Sequence, residues 1–173
     1  MNTGVAVELN QQAQESRIVV GIGEYAVADS ADATIVTHAL GSCIAVCVWD
    51  PDAGVGGLLH FLLPESKLNP ERAKRQPGTF ADTGIPLLFQ TAYKHGATKA
   101  RCRVRLLGGA SVTVGGTTDV GRRNLLAAKK MLWQNGVMVH GEAVGGHAVR
   151  TVTFSVGDGR VLVSCGREVT QEL

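Results

Sequence analysis

The sequence predicts an α+β fold, a mixed β-sheet α/β sandwich in a single domain. Three observations carry that expectation. Short β-branched runs recur along the chain, and the segments read strand-heavy first, then helix, strand, helix and strands, which disfavours a doubly wound parallel fold. Twenty-two glycines imply many tight turns without a repeat. The 173 residues, 45% hydrophobic and 18% charged, suffice for one well-buried core.

Taken in order, residues 1–16 are polar and lack the basic start and apolar middle of a signal peptide, so they read as a flexible leader to a domain spanning 17–173. Arg17 to Ile22 is a short strand. Ala33 to Ala39 is a second, with Ile35 and Thr37 on one face and Val36 and His38 on the other. Gly41-Ser42 breaks the pattern. Ile44 to Trp49 resumes it as a near-continuous apolar strand expected to be buried on both faces. Asp50-Pro51-Asp52-Ala53-Gly54 is a turn by composition, and Gly56 to Leu63 returns as the second arm of a hairpin.

Pro64 to Gly78 is polar and basic and reads as an exposed loop. It is either a plain solvated surface or a contact for an acidic partner through Lys67, Arg72, Lys74 and Arg75. Thr79 or Asp82 is expected to cap a helix running to His95, in which Ala81, Ile85, Leu88, Phe89 and Ala92 recur at helical spacing. Ala100 to Leu107 alternates, placing Arg101, Arg103 and Arg105 on a face read as solvated or salt-bridged. Nucleic-acid binding is disfavoured there because stacking aromatics are missing. Gly108 to Thr118 is rich in glycine and threonine but lacks the Lys-Ser/Thr ending of a phosphate loop. Asp119 caps a second helix through Gln134, ended by Asn135-Gly136. Val137 to Val144 is a strand, and Arg150 to Val156 with Arg160 to Cys165 forms a terminal hairpin.

A net charge of +2 argues for neither nucleic acid nor membrane insertion. The expected location is the cytoplasm, with all four cysteines reduced. Cys43 and Cys47 lack the partners that would complete a zinc site, so neither metal nor other cofactor is expected.

The chemistry concentrates in Thr37-His38-Ala39-Leu40-Gly41-Ser42-Cys43 and Gly57-Leu58-Leu59-His60-Phe61. Cys43 follows a small-residue turn, a setting that exposes a side chain and offers backbone N–H groups at Gly41-Ser42 to an oxyanion. His60 lies among leucines and needs a polar partner. A thiolate–imidazolium pair would meet both needs. Cys47 and Cys102 read as core, and Cys165 as part of an edge hairpin.

These residues also resemble a known family, the bacterial chemoreceptor glutamine deamidases (CheD). The resemblance rests on Thr37, Leu40-Gly41-Ser42-Cys43, Asp50-Pro51 and Gly57 to Pro64. It extends to Gly21 to Val27, Phe80 to Pro86, Leu107 to Ser111, Val120 to Asn124, and Gly145-Gly146 with Arg150-Thr151-Val152. It implies a sandwich shared in outline with a toxin deamidase, and a Cys43–His60–Thr37 site in which Thr37 orients the imidazole. It further implies glutamine substrates on chemoreceptor cytoplasmic helices, a thioester route, and a CheC-type phosphatase as a possible partner. His38 departs from the family pattern and competes on paper for the role of base. Two alternatives stand beside the deamidase reading: a cysteine amide hydrolase of another substrate class, with the same chemistry and a different pocket, and a non-catalytic chemotaxis adaptor, against which Thr37, Cys43 and His60 together argue.

Overall fold

A computed structural model describes residues 16–111 and 119–173. The leader expected over 1–16 falls, apart from Ser16, outside the described residues. So does the part of the glycine- and threonine-rich stretch from 112 to 118.

Among the described residues, ten strands form two five-stranded sheets. They are β1 (Ser16–Val19), β2 (Glu24–Ala28), β3 (Ala33–Leu40), β4 (Ile44–Asp50), β5 (Val55–Phe61), β6 (Arg103–Gly108), β7 (Val139–Val144), β8 (Arg150–Ser155), β9 (Val161–Cys165) and β10 (Glu168–Glu172). One sheet has the order β1-β3-β8-β9-β10 and the other β2-β5-β4-β6-β7. Each contains one parallel pair, β1 with β3 and β6 with β7, among antiparallel ones. The mixed-sheet sandwich is as expected.

The strand pattern explains the layering. Along β4, Ala45 and Cys47 join Ile35, Leu58, Val152 and Phe154 in a core between the sheets. Ile44, Val46 and Val48 join a second core with Leu59, Phe61, Leu88 and Leu132 beneath the helices. A strand sandwiched on both faces must be apolar at successive positions, and β4 is buried at all but Trp49. The helices are α1 (Pro70–Arg75), α2 (Ala81–Lys94) and α3 (Val120–Gln134).

Four expectations are corrected. The terminal hairpin of β8 and β9 is followed by a further strand, β10, with every residue exposed. Burial therefore supplies no hydrophobic period by which to recognise it. Pro64 to Gly78 is not an open loop. It is wound into two single 3₁₀ turns around α1, whose first turn is capped by Asn69 Oδ1 accepting from Arg72 N at 3.0 Å. Neither Thr79 nor Asp82 caps α2; Phe80 holds that position without a side-chain bond. Asp82 turns back instead and accepts from Ser66 N at 2.9 Å and Ser66 Oγ at 2.8 Å, tying the wound segment to α2. The arginine face is also unlike a solvated surface throughout. Arg103 lies over the Trp49 ring at 5.5 Å, and Arg105 is half-buried beside Cys47, its guanidinium held below its ordinary range by burial.

Asp50 secures the end of β4 away from Cys43. It is fully buried. Its carboxylate accepts from Asp52 N and Ala53 N at 3.1 Å, Thr98 N at 2.8 Å and Arg101 Nε at 3.0 Å. Burial pushes this carboxyl up, but the bonds from Arg101, Thr98 and Ala53, with the Arg101 charge, outweigh it and hold the group down to about 2. Asp50→Ala strands these donors and the guanidinium. It is expected to cost about 3–5 kcal/mol, read as a lowered urea midpoint, while activity per folded molecule stays near wild type.

Candidate active site

The chain changes sheets between β3 and β4, and the site is built at that crossing. The β3–β8 register breaks between Thr37 and Leu40. Ala39 takes φ 55°, a left-handed conformation unfavourable for a residue with a Cβ. The kink lets Gly41-Ser42 turn the chain out of the first sheet and start β4 in the second. Opposite, His60 pairs with Ala45 and Phe61 with Ile44. The hairpin thus returns His60 to the end of β4 that Cys43 begins.

Thr37 from one sheet and His60 from the other meet between them. Both are fully buried. Thr37 Oγ1 lies 2.7 Å from His60 Nδ1 and donates its only hydrogen to Val20 O, also at 2.7 Å. With that proton committed, the hydroxyl can only accept from His60, so Nδ1 carries the imidazole hydrogen and Nε2 presents a lone pair. His60 Nε2 is buried and has no hydrogen-bond partner among the described residues. Burial lowers the His60 pKa to about 4, so the ring is a neutral base at neutral pH.

Cys43 lies in the same inter-sheet core and is 5% exposed. The expectation of an exposed thiol is corrected. The turn lies between packed layers, and Gly108, at φ 100°, sits so close that a Cβ there would be 2.3 Å from Cys43 O. Burial raises the Cys43 pKa above its ordinary value, and a backbone hydrogen bond only partly offsets this. Thiol and imidazole are therefore both neutral at rest, in place of the expected ion pair.

The turn is held by its carbonyls. Gly41 O accepts from Ala110 N at 2.9 Å, Cys43 O from Gly109 N at 2.7 Å, and Ser42 O from Asn124 Nδ2 at 3.0 Å. The Gly41 N–H is engaged with Ala39 O at 3.1 Å. The N–H groups of Ser42 and Cys43 make no hydrogen bond to any other described residue, and that of Cys43 lies against its own thiol. Adjacent free donors beside a thiol are the arrangement that can hold an oxyanion. Of the two turn residues predicted for that task, Ser42 has a free amide and Gly41 does not.

The other histidines are placed elsewhere. His38 is exposed, with Nδ1 3.4 Å from Thr151 Oγ1. His95 pairs with Asp29 at 2.9 Å, and His140 Nδ1 accepts from Val104 N at 3.1 Å. Cys47 is fully buried in the inter-sheet core, and that burial pushes its thiol up to about 12. Lys67, Arg72, Lys74 and Arg75 lie on the wound segment after β5. Lys67 pairs with Glu65, and Lys74 with Glu71 at 2.9 Å. Half of the predicted basic contact is thus neutralised locally. No cluster of three or more His, Cys, Asp or Glu side chains able to hold a metal ion occurs among the described residues. Nor is any helix among them long and apolar enough to cross a membrane.

Asn124 escaped the sequence reading as a site residue. Its signal was a polar residue in the buried stripe of a helix, where Gly121, Asn124, Ala128 and Leu132 recur.

A family profile described as CheD chemotactic sensory transduction matches residues 62–165. Among curated relatives, "Probable chemoreceptor glutamine deamidase CheD 2" of Anaeromyxobacter dehalogenans is 51% identical over 89% of this chain and 98% of its own. "Probable chemoreceptor glutamine deamidase CheD 1" of Syntrophus aciditrophicus is 43% identical over 90% and 98%. "Chemoreceptor glutamine deamidase CheD" of Thermotoga maritima is 39% identical over 84% and 89%. The profile match begins after Thr37, Cys43 and His60, so the roles of those residues rest on their geometry. With identities of this size over nearly full length, on a sandwich of the expected kind, the chain belongs to the CheD family.

Proposed function

We propose that this protein is a cytoplasmic chemoreceptor glutamine deamidase that hydrolyses receptor glutamine side chains to glutamate and ammonia through a Cys43 thioester. The observation that carries the chemistry is the chain Val20 O, Thr37 Oγ1, His60 Nδ1, which leaves Nε2 as an unprotonated base in the core that holds Cys43.

In the first half-reaction His60 Nε2 takes the Cys43 proton as the sulfur attacks the substrate carboxamide carbon. The oxyanion forms against the Ser42 and Cys43 N–H groups. Nε2–H then protonates the leaving nitrogen, and ammonia departs from the thioester. In the second half-reaction Nε2 deprotonates water, which attacks the thioester and releases glutamate and the thiol. Proton transfer is coupled to attack because the buried pair is neutral at rest. No cofactor enters the scheme.

The substrate is a glutamine on a folded, acidic receptor helix. Between Pro64 and Gly78 four basic residues face two carboxylates. With Lys67 and Lys74 paired, Arg72 and Arg75 are the residues left to guide such a partner. A CheC-type phosphatase is proposed as a second partner on the family resemblance alone.

Intact-mass measurement of a receptor cytoplasmic fragment tests the assignment. Each turnover should add about one dalton and release one ammonia. The fragment should react well ahead of free glutamine and of an unstructured glutamine peptide. Equal rates on all three would transfer the protein to general amide hydrolysis.

A further inference from the structure

The proton path through Val20, Thr37 and His60 leaves one buried polar side chain beside the Cys43 turn unused. Asn124 is fully buried on α3. Its Nδ2 donates to Ser42 O at 3.0 Å and to Leu62 O at 2.8 Å. Only an NH₂ group can satisfy two carbonyls at once, so the orientation of the amide is set by its partners. Its Oδ1 is buried without a hydrogen-bond partner among the described residues. A position serving packing alone would favour an apolar side chain over one with a stranded oxygen. The two N–H bonds are what this residue supplies.

We infer that Asn124 is a positioning residue for the oxyanion site, acting through the Ser42–Cys43 peptide. The Ser42 C=O and the Cys43 N–H belong to one planar trans unit, so they point in opposite directions. Asn124 grips the oxygen end of that unit and thereby fixes where the N–H end points. Accepting a hydrogen bond at the carbonyl also polarises the N–H and makes it a better donor to a developing oxyanion. The second bond holds Leu62 O, two residues beyond His60.

The helix is built to bring Asn124 there. Asp119 caps α3, its Oδ1 accepting from Arg122 N at 3.0 Å. Gly121, one turn before Asn124, packs so closely that a Cβ would lie 2.5 Å from Ala110 O and 2.6 Å from Gly109 O. Those are residues of the segment whose N–H groups hold Gly41 O and Cys43 O. Gly121 lets the start of α3 press onto the segment that braces the turn, and Asn124 follows on the same buried stripe.

The inference rests on Cys43 as nucleophile and on the Ser42 and Cys43 amides as oxyanion donors. Its test separates the three. Iodoacetamide alkylates a thiol by displacing iodide at carbon and develops no oxyanion, whereas deamidation does. In Asn124→Leu, kcat on a receptor fragment is expected to fall about a hundredfold, on the scale of a lost oxyanion donor. KM and the Cys43 alkylation rate are expected to stay within about twofold, since neither depends on that donor. Deamidation and alkylation falling together would assign Asn124 to general support of the site and overturn the inference. So would a kcat within about threefold of wild type, too small for a lost donor. If the leucine variant does not fold, Asn124→Ala, which removes both donors without adding bulk, is read by the same criteria. Activity surviving in Cys43→Ala would instead remove the nucleophile reading, a failure visible without any Asn124 variant.

Discussion

Cys43→Ala is expected to abolish ammonia release from a receptor fragment while leaving the protein folded. Loss should be complete within detection, because no other described cysteine can take over. Cys47 is fully buried, its thiol pushed to about 12 by that burial. Cys102 packs in the core beneath the helices, its thiol raised to about 11 by burial and, secondarily, by Asp50. Cys165 lies on β9, its Sγ 3.9 Å from Thr170 Oγ1. Truncating Cys43 removes one sulfur atom from a 5% exposed site, at about 1 kcal/mol on the usual scale for small core deletions. Native circular dichroism with no activity is the expected pair of readings. Alanine variants at the other three cysteines should retain activity. Activity retained in folded Cys43→Ala would end the thioester proposal, and a folded but inactive Cys47→Ala or Cys102→Ala would move the nucleophile.

Most of the site was legible because its parts are local in sequence. The β4–β5 hairpin announces itself by an apolar run, the Asp50-Pro51-Asp52-Ala53-Gly54 turn and a second apolar run. A hairpin brings the ends of its arms together, so Cys43 and His60 had to converge. Alternation along β3 put Thr37 opposite His38, and the structure buries the first and exposes the second. What stayed hidden is what depends on distant segments. A turn that should expose a thiol is covered by the second sheet and by Gly108, and nothing near Cys43 encodes that cover. Asp82, an ordinary helix-start residue, is diverted by Ser66. Asn124 reaches Ser42 across more than eighty residues, and Asp50 reaches Arg101 across about fifty. In both, one polar side chain satisfies backbone or charge from another part of the chain, a relation that no local spacing records.

His60→Ala should be nearly as damaging to turnover as Cys43→Ala, since it removes both the base for the thiol and the acid for the departing ammonia. The alanine variant also leaves Thr37 Oγ1 without its buried partner and opens a cavity. His60→Gln, which keeps an amide donor near Thr37, guards against simple unfolding. Thr37→Val keeps the shape and loses the orienting hydroxyl, so a ten- to hundredfold fall is expected, the scale of a group that acts through its neighbour. His38→Ala, on the exposed face, should keep activity. The pH dependence then separates a neutral base from an ion pair. The folded-state pKa of His60, about 4, lies below its ordinary 6.5 because burial disfavours the charged ring. The unfolded chain therefore takes up the proton first as pH falls. His60 contributes its full share of stability above about pH 6.5, and that share is lost by about pH 4. The shift corresponds to about 3 kcal/mol, measured as the wild-type loss across that window minus the loss in His60→Gln. Turnover should follow the folded value. On the acid side kcat/KM should hold through pH 6.5 and fall with a midpoint near 4, where Nε2 becomes protonated. A midpoint at 6.5 or above, in a protein whose fold is intact at that pH, would mean that the ring is solvated and poised as half of a thiolate–imidazolium pair. The buried, neutral base derived from Val20, Thr37 and His60 would then be wrong.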